Sequence, residues 1–117
     1  MIRSRMKHAA FACFVAVICC CVAPGQNAAQ PPFCIFGNTY YVGTHGLSSV
    51  LITSPGGHIL IDGDLPESAG RIAGNIRLLG FRLEDVKLIV NSHVHFDHAG
   101  GIAELQRRSG ARVAASQ

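Results

Sequence analysis

Apolar residues recur along this chain with two different rhythms, and the rhythm changes where the elements change. Thr39-Tyr40-Tyr41-Val42 is β-branched and aromatic between Gly37-Asn38 and Gly43, which predicts a strand. Ser48–Ser54 alternates, with Val50 and Ile52 on one face and Leu51 and Thr53 on the other. Pro55-Gly56-Gly57 is a turn by composition, and His58-Ile59-Leu60-Ile61-Asp62 is a further strand, so residues 48–62 read as a hairpin. The unbroken Ile59-Leu60-Ile61 run predicts burial on both faces. The period then lengthens. Ala69, Ile72, Ile76 and Leu79 share one helical face, with Asp64 as the expected N-cap, Pro66 in the first turn and Gly80 as a left-handed stop. Val86–Val90 reads as a buried strand. Ile102 and Leu105 mark the apolar side of a second helix closed by Gly110, and Ala111–Ala115 reads as a last strand. Gln26–Pro32 is polar and holds Pro31 and Pro32, which predicts a flexible lead-in. The order is β-β-β-α-β-α-β, an α/β pattern.

The N-terminus follows neither rhythm. Arg3, Arg5 and Lys7 precede an uncharged apolar block, Ala9–Ala23, followed by Pro24-Gly25. The block is shorter than the ~20 residues a helix needs to span a bilayer. A basic head, an apolar centre and a small-residue tail predict a secretory signal peptide over residues 1–25, with cleavage after Gly25 or after Ala29. An uncleaved membrane anchor and lipid attachment at a signal cysteine are the alternatives. Four of the five cysteines (Cys13, Cys19, Cys20, Cys21) would leave with the signal. Cys34 remains, expected as a partly buried small apolar residue, and one cysteine makes no internal disulfide. The chain has 117 residues, enough for one domain, here residues 26–117. Its formal net charge is +3, part of it in the leader, and no basic stripe with interleaved aromatics argues for nucleic acid.

Chemistry concentrates in Asn91-Ser92-His93-Val94-His95-Phe96-Asp97-His98-Ala99-Gly100-Gly101, between a buried strand and a helix. If the backbone stays extended, His93, His95 and Asp97 project to one side, and His98 needs a turn to join them. Imidazole and carboxylate donors suit Zn²⁺, and two adjacent ions would suit hydrolysis. The bland reading of each residue is a hydrogen-bonded loop side chain. Gly100 and Gly101 fit either a close backbone approach or a plain turn. His45, in a loop between two strands, is a weaker candidate for a substrate-facing residue or stray ligand. His58 opens a strand and His8 lies in the leader, so neither is expected to bind metal.

His93-x-His95-x-Asp97-His98 resembles the metal-binding signature of the metallo-β-lactamase superfamily. Gly37–Thr44, His58–Gly63 and His98–Gly101 are similar to subclass B3 enzymes, and His98 favours B3 over B1 and B2. The resemblance implies the N-terminal half of an αββα sandwich, with His93 and His95 on a first zinc and Asp97 and His98 on a second. Asp97 would also orient the nucleophile, as the catalytic residue. Asp62 would order the His loop, or simply form a turn before Gly63. The implied reaction is zinc-dependent hydrolysis of the β-lactam amide of a small-molecule antibiotic, hence antibiotic resistance. In that family each zinc takes a further His from the second half. The chain is therefore expected to be a fragment of low or no activity alone, with an uncovered sheet face prone to self-association. The implied location is periplasmic or secreted, with no stable membrane association after signal removal. Because glyoxalase II and lactonases share the motif, another secreted zinc hydrolase, a lactonase or thioesterase, is the alternative. A non-catalytic zinc-binding module is a third reading.

Overall fold

A computed structural model describes residues 25–115. The basic segment and apolar block read as a signal, with His8 and four of the cysteines, lie outside the described residues. Among the described residues no helix is long and apolar enough to cross a membrane.

Six strands form one mixed sheet: β1 (Phe33–Phe36), β2 (Thr39–Tyr41), β3 (Val50–Ile52), β4 (His58–Ile61), β5 (Val86–Asn91) and β6 (Arg112–Ala115). Spatial order follows sequence order from β1 to β6. The first four strands are antiparallel to their neighbours, and β4, β5 and β6 run parallel. Helix α1 (Ala69–Leu78) connects β4 to β5. A four-residue helix α2 (Phe96–Ala99) and helix α3 (Ile102–Ser109) connect β5 to β6.

The period-two pattern sets the core. Leu51, Leu60 and Ile89 lie in register across β3, β4 and β5, and all three are fully buried. They pack with Ile72 and Ile76 of α1 and Ile102 and Leu105 of α3 in one cluster. Burying a side chain of this size contributes about 1.5–3 kcal/mol. The alternate residues Val50, Ile52, Ile59, Ile61, Leu88 and Val90 are only half-buried. The Ile59-Leu60-Ile61 run is therefore closed on the helix side and open on the other, not buried on both faces. The helix stops behave as their glycines require. Gly80 (φ +87°) and Gly110 (φ +73°) are left-handed, and the Phe81 amide reaches back to the Ile76 carbonyl at 3.1 Å.

One strand joins the expected order, and three further expectations are corrected. Phe33–Phe36 is a strand, pairing with β2 as the sheet edge. Cys34 lies in it and is exposed rather than partly buried, because an edge strand has a neighbour on one side only. Asp64 does not cap α1. The helix is entered through a 3-10 turn, Pro66–Ser68, whose N-cap is Leu65, and no side chain caps it. Asp64 instead takes a left-handed backbone (φ +53°) that turns its carboxylate inward. Finally, Gln26–Gln30 is not a free lead-in. The amides of His45 and Gly46 donate to the carbonyls of Ala28 and Gln26, each at 2.9 Å, and Asn75 Nδ2 donates to the Gln30 carbonyl at 3.0 Å.

Candidate metal centre

The carboxyl ends of the parallel strands β4 and β5 lie side by side, and the candidate residues follow those ends. This is where open α/β sheets place their ligands. The β4 ladder continues one residue beyond the strand, with the Asp62 amide donating to the Val90 carbonyl at 2.9 Å. Asp62 then turns left-handed (φ +62°), as does Asp64 on the other side of Gly63. Two non-glycine residues in this conformation within three positions store strain of about 1–3 kcal/mol each, and Asp is among the few types that tolerate it.

That turn aims the Asp62 carboxylate at the His loop. Asp62 is 5% exposed and receives three donors. The Ser92 amide donates to Oδ1 at 2.7 Å, the Ser92 hydroxyl to Oδ2 at 2.5 Å, and His98 Nδ1 lies 2.9 Å from Oδ2. The hydrogen bond to Asp62 is the main reason the His98 pKa is raised above the ordinary imidazole value. In the neutral ring Nδ1–H points at Asp62, which leaves the Nε2 lone pair for a cation. Asp62 thus makes the turn before Gly63 and hydrogen-bonds the His loop at Ser92 and His98. The sequence reading missed Ser92, which fastens the loop to the same carboxylate.

The loop backbone decides which candidates meet. His93 and His95 project together, with ring centroids 4.1 Å apart and edge to face. Helix α2 begins after His95, so Asp97 does not continue the extended parity. The helix supplies the turn that His98 needs. The His98 amide donates to the His95 carbonyl at 3.0 Å, and the ring comes within 5.4 Å of the His93 ring. Asp97 Oδ2 lies 3.8 Å from His98 Nε2. Three imidazoles and one carboxylate therefore share one exposed surface. Among the described residues no three of these donors converge on one point as a metal ion would hold them. The imidazole rings pack against each other instead. The donor types fit Zn²⁺: the imidazoles of His93, His95 and His98 and the Asp97 carboxylate. His45 is exposed, and among the described residues its side chain makes no hydrogen bond into the site. His58 is 9% exposed at the other end of β4, where its Nδ1 accepts from the Ser54 amide at 3.3 Å and its ring packs edge-on to Phe81.

A second carboxylate stands behind the first. Asp64 is fully buried, and its Oδ2 accepts from the Thr44 amide at 3.3 Å, while Oδ1 has no partner among the described residues. Burial raises its pKa from 3.8 to about 6. The unfolded carboxyl ionises first as pH rises, so between the two values the folded state holds the extra proton and stability falls. Asp64→Asn removes this loss. Its stability relative to wild type is expected to improve by about 1–3 kcal/mol on going from pH 4 to pH 7. Urea unfolding at the two pH values measures this, and a difference that does not change with pH rejects it.

Gly63 and Gly101 bring the two halves of the site into contact. The Gly63 amide donates to the His98 carbonyl at 2.8 Å, and the Gly101 amide to the Asp64 carbonyl at 3.1 Å. A Cβ on Gly101 would stand 2.1 Å from the Gly63 carbonyl oxygen. Of the two readings of Gly100 and Gly101, close backbone approach is the one that holds, since a Cβ on Gly100 would also stand 3.0 Å from the Asp64 carbonyl oxygen.

The same fold recurs in known proteins. The structure matches the Rm3 metallo-beta-lactamase with a TM-score of 0.77 at 74% identity, over 78% of this chain and 34% of that one. It matches MEM-A1, a subclass B3 metallo-beta-lactamase from a soil metagenome library, with a TM-score of 0.74 at 72% identity, over 75% and 33% of the two chains. A hydroxyacylglutathione hydrolase of Methylobacterium nodulans is 44% identical over 44% of this chain and 19% of its own length. The chain thus spans about a third of the solved structures and about a fifth of this curated relative. The family model of the metallo-beta-lactamase superfamily covers residues 42–117, from the end of the second strand through the whole His loop. With the family model matched over more than half of its length and the fold shared with solved members, the chain belongs to the metallo-beta-lactamase superfamily.

Proposed function

We propose that this chain carries the zinc-binding loop of an exported hydrolase that opens the amide of β-lactam antibiotics. The observation that carries the reading is the Asp62–His98 link. It fixes the tautomer of a histidine that stands in the loop beside His93, His95 and Asp97. The 72–74% identity to two metallo-beta-lactamases supports the choice of substrate. Zinc, when held there, supplies Lewis acidity to polarise a carbonyl and lowers the pKa of a water to about 7.

The protein residues divide the remaining work. Asp62 and Ser92 hold the loop in register with β4. His93 and His95 would serve one ion, and Asp97 and His98 the other. Asp97, half-exposed beside His98 Nε2, would hold the proton of the attacking water and orient its lone pair toward the carbonyl. Two donors per ion is one fewer than the three protein ligands of a catalytic zinc site. Hydrolysis by these residues without further ligands is therefore slow.

The test joins the chain to the C-terminal portion of MEM-A1, loads the product with zinc and compares substrates. Nitrocefin is expected to turn over faster than an acyl-homoserine lactone or a glutathione thioester. Faster turnover of the lactone or thioester would establish the alternative reading instead, and full nitrocefin activity in the unjoined chain would refute the donor count.

A further inference from the structure

The segment before β1 bears on a question the sequence left open, which is where the leader ends. Gln26–Gln30 lies as a strap across the β2–β3 loop and α1. The Gln26 carbonyl accepts from the Gly46 amide and from the Thr44 hydroxyl, both at 2.9 Å. The Ala28 carbonyl accepts from the His45 amide at 2.9 Å. Asn27 Oδ1 accepts from the Ser68 hydroxyl at 2.7 Å, and the Gln30 carbonyl from Asn75 Nδ2 at 3.0 Å. Thr44 and Ser68 are fully buried. The approach is close enough that a Cβ on Gly46 would stand 3.0 Å from Gln26 Cα.

We propose that Gln26–Gln30 is a permanent part of the mature fold and that export processing cuts the Gly25–Gln26 bond. The proposal rests on the reading of the chain as exported. A cut after Ala29 would remove the acceptors of four donors at once: the Thr44 and Ser68 hydroxyls and the His45 and Gly46 amides. The cut would uncover Thr44 and Ser68, which the strap helps to bury, and would leave the His45 and Gly46 amides to water. Among the described residues, a cut after Gly25 removes one acceptor, the Gly25 carbonyl, which accepts from the Ala28 amide at 2.8 Å in an exposed turn. The recognition chemistry agrees. Small residues are wanted one and three positions before the cut. Gly25 and Ala23 provide them, whereas a cut after Ala29 puts Asn27 at the outer position. The strap also reaches the metal centre. Gln26 holds Thr44, the Thr44 amide holds the Asp64 carboxylate, and the Asp64 carbonyl holds the Gly101 amide at the end of the His loop.

The experiment expresses the full chain with its own N-terminus in a Gram-negative host and reads the intact mass of the exported protein. The expected mass is that of residues 26–117, with or without loss of ammonia from the new N-terminal glutamine. A start at any other residue overturns the cut, and a start inside the strap overturns the strap as well. An uncut chain overturns the export reading and the cut together. The strap has its own readout in amide hydrogen exchange on the same purified protein. The His45 and Gly46 amides are expected to exchange more slowly than the exposed turn amide of Gly56. Equal rates overturn the docked strap, whatever the mass shows.

Discussion

Asp62→Ala is expected to lower zinc affinity about 10- to 100-fold, although Asp62 touches no metal in the proposed site. The carboxylate is 5% exposed and takes three hydrogen bonds, two from Ser92 and one from His98. Alanine leaves the Ser92 amide and the His98 Nδ1–H without their protein acceptor. The His98 ring then turns freely and chooses its tautomer freely, so its Nε2 lone pair is no longer held toward Asp97. Equilibrium dialysis against zinc reads the affinity. A second readout needs no metal. The His98 pKa is raised chiefly by the bond to Asp62, and in the metal-free variant it should fall back toward the ordinary imidazole value. Ring-proton NMR across the titration follows it. Unchanged zinc retention together with an unchanged His98 midpoint would remove Asp62 from the site.

Gly101→Ala should destabilise the fold by about 3 kcal/mol or more. The new Cβ would meet the Gly63 carbonyl oxygen at 2.1 Å and the Leu65 carbonyl oxygen at 2.9 Å. Both are backbone atoms, so no side chain can swing aside. Relief requires moving Gly63 away from the His loop, which breaks the Gly63–His98 and Asp64–Gly101 hydrogen bonds. A domain of this size loses about 4–8 °C of melting temperature per kcal/mol, so a fall on the order of 12–24 °C is expected in calorimetry. Gly74→Ala is the control. It lies inside α1, its Cβ would meet nothing within 4 Å, and helix propensity favours alanine there by up to about 1 kcal/mol. If the two variants melt together, the close approach at Gly101 carries no weight.

What could be read from the sequence was whatever side-chain periodicity encodes. Val50–Ile52, His58–Ile61 and Val86–Asn91 are strands because alternation or an unbroken apolar run says so, and Ile72, Ile76, Ile102 and Leu105 mark their helix faces. Gly80 and Gly110 ended the helices as their conformational freedom predicts. What escaped was held by backbone groups or by isolated polar contacts. The Gln26–Gln30 strap docks largely through carbonyls, which leave no mark on composition. Phe33–Phe36 buries none of its side chains fully, and Pro31-Pro32 before it suggested irregular chain. Asp64 has the residue type and position of a helix cap, and only the left-handed turn after Asp62 sends it inward. At the metal centre the residue types sufficed to nominate His93, His95, Asp97 and His98. The geometry relating them depended on α2, whose four residues carry no periodic signal.

Because spatial and sequence order coincide across the six strands, no strand has to wait for one made later in the chain. β1 to β4 form a meander of near neighbours, and β5 adds to its edge once α1 has folded back. Pairings of this short range carry a small loop-closure cost and favour fast folding. A chain synthesised from its N-terminus therefore has Asp62 on β4 ready before the His loop exists. The loop closes onto an acceptor already in place, and β6 then seals the far side of β5.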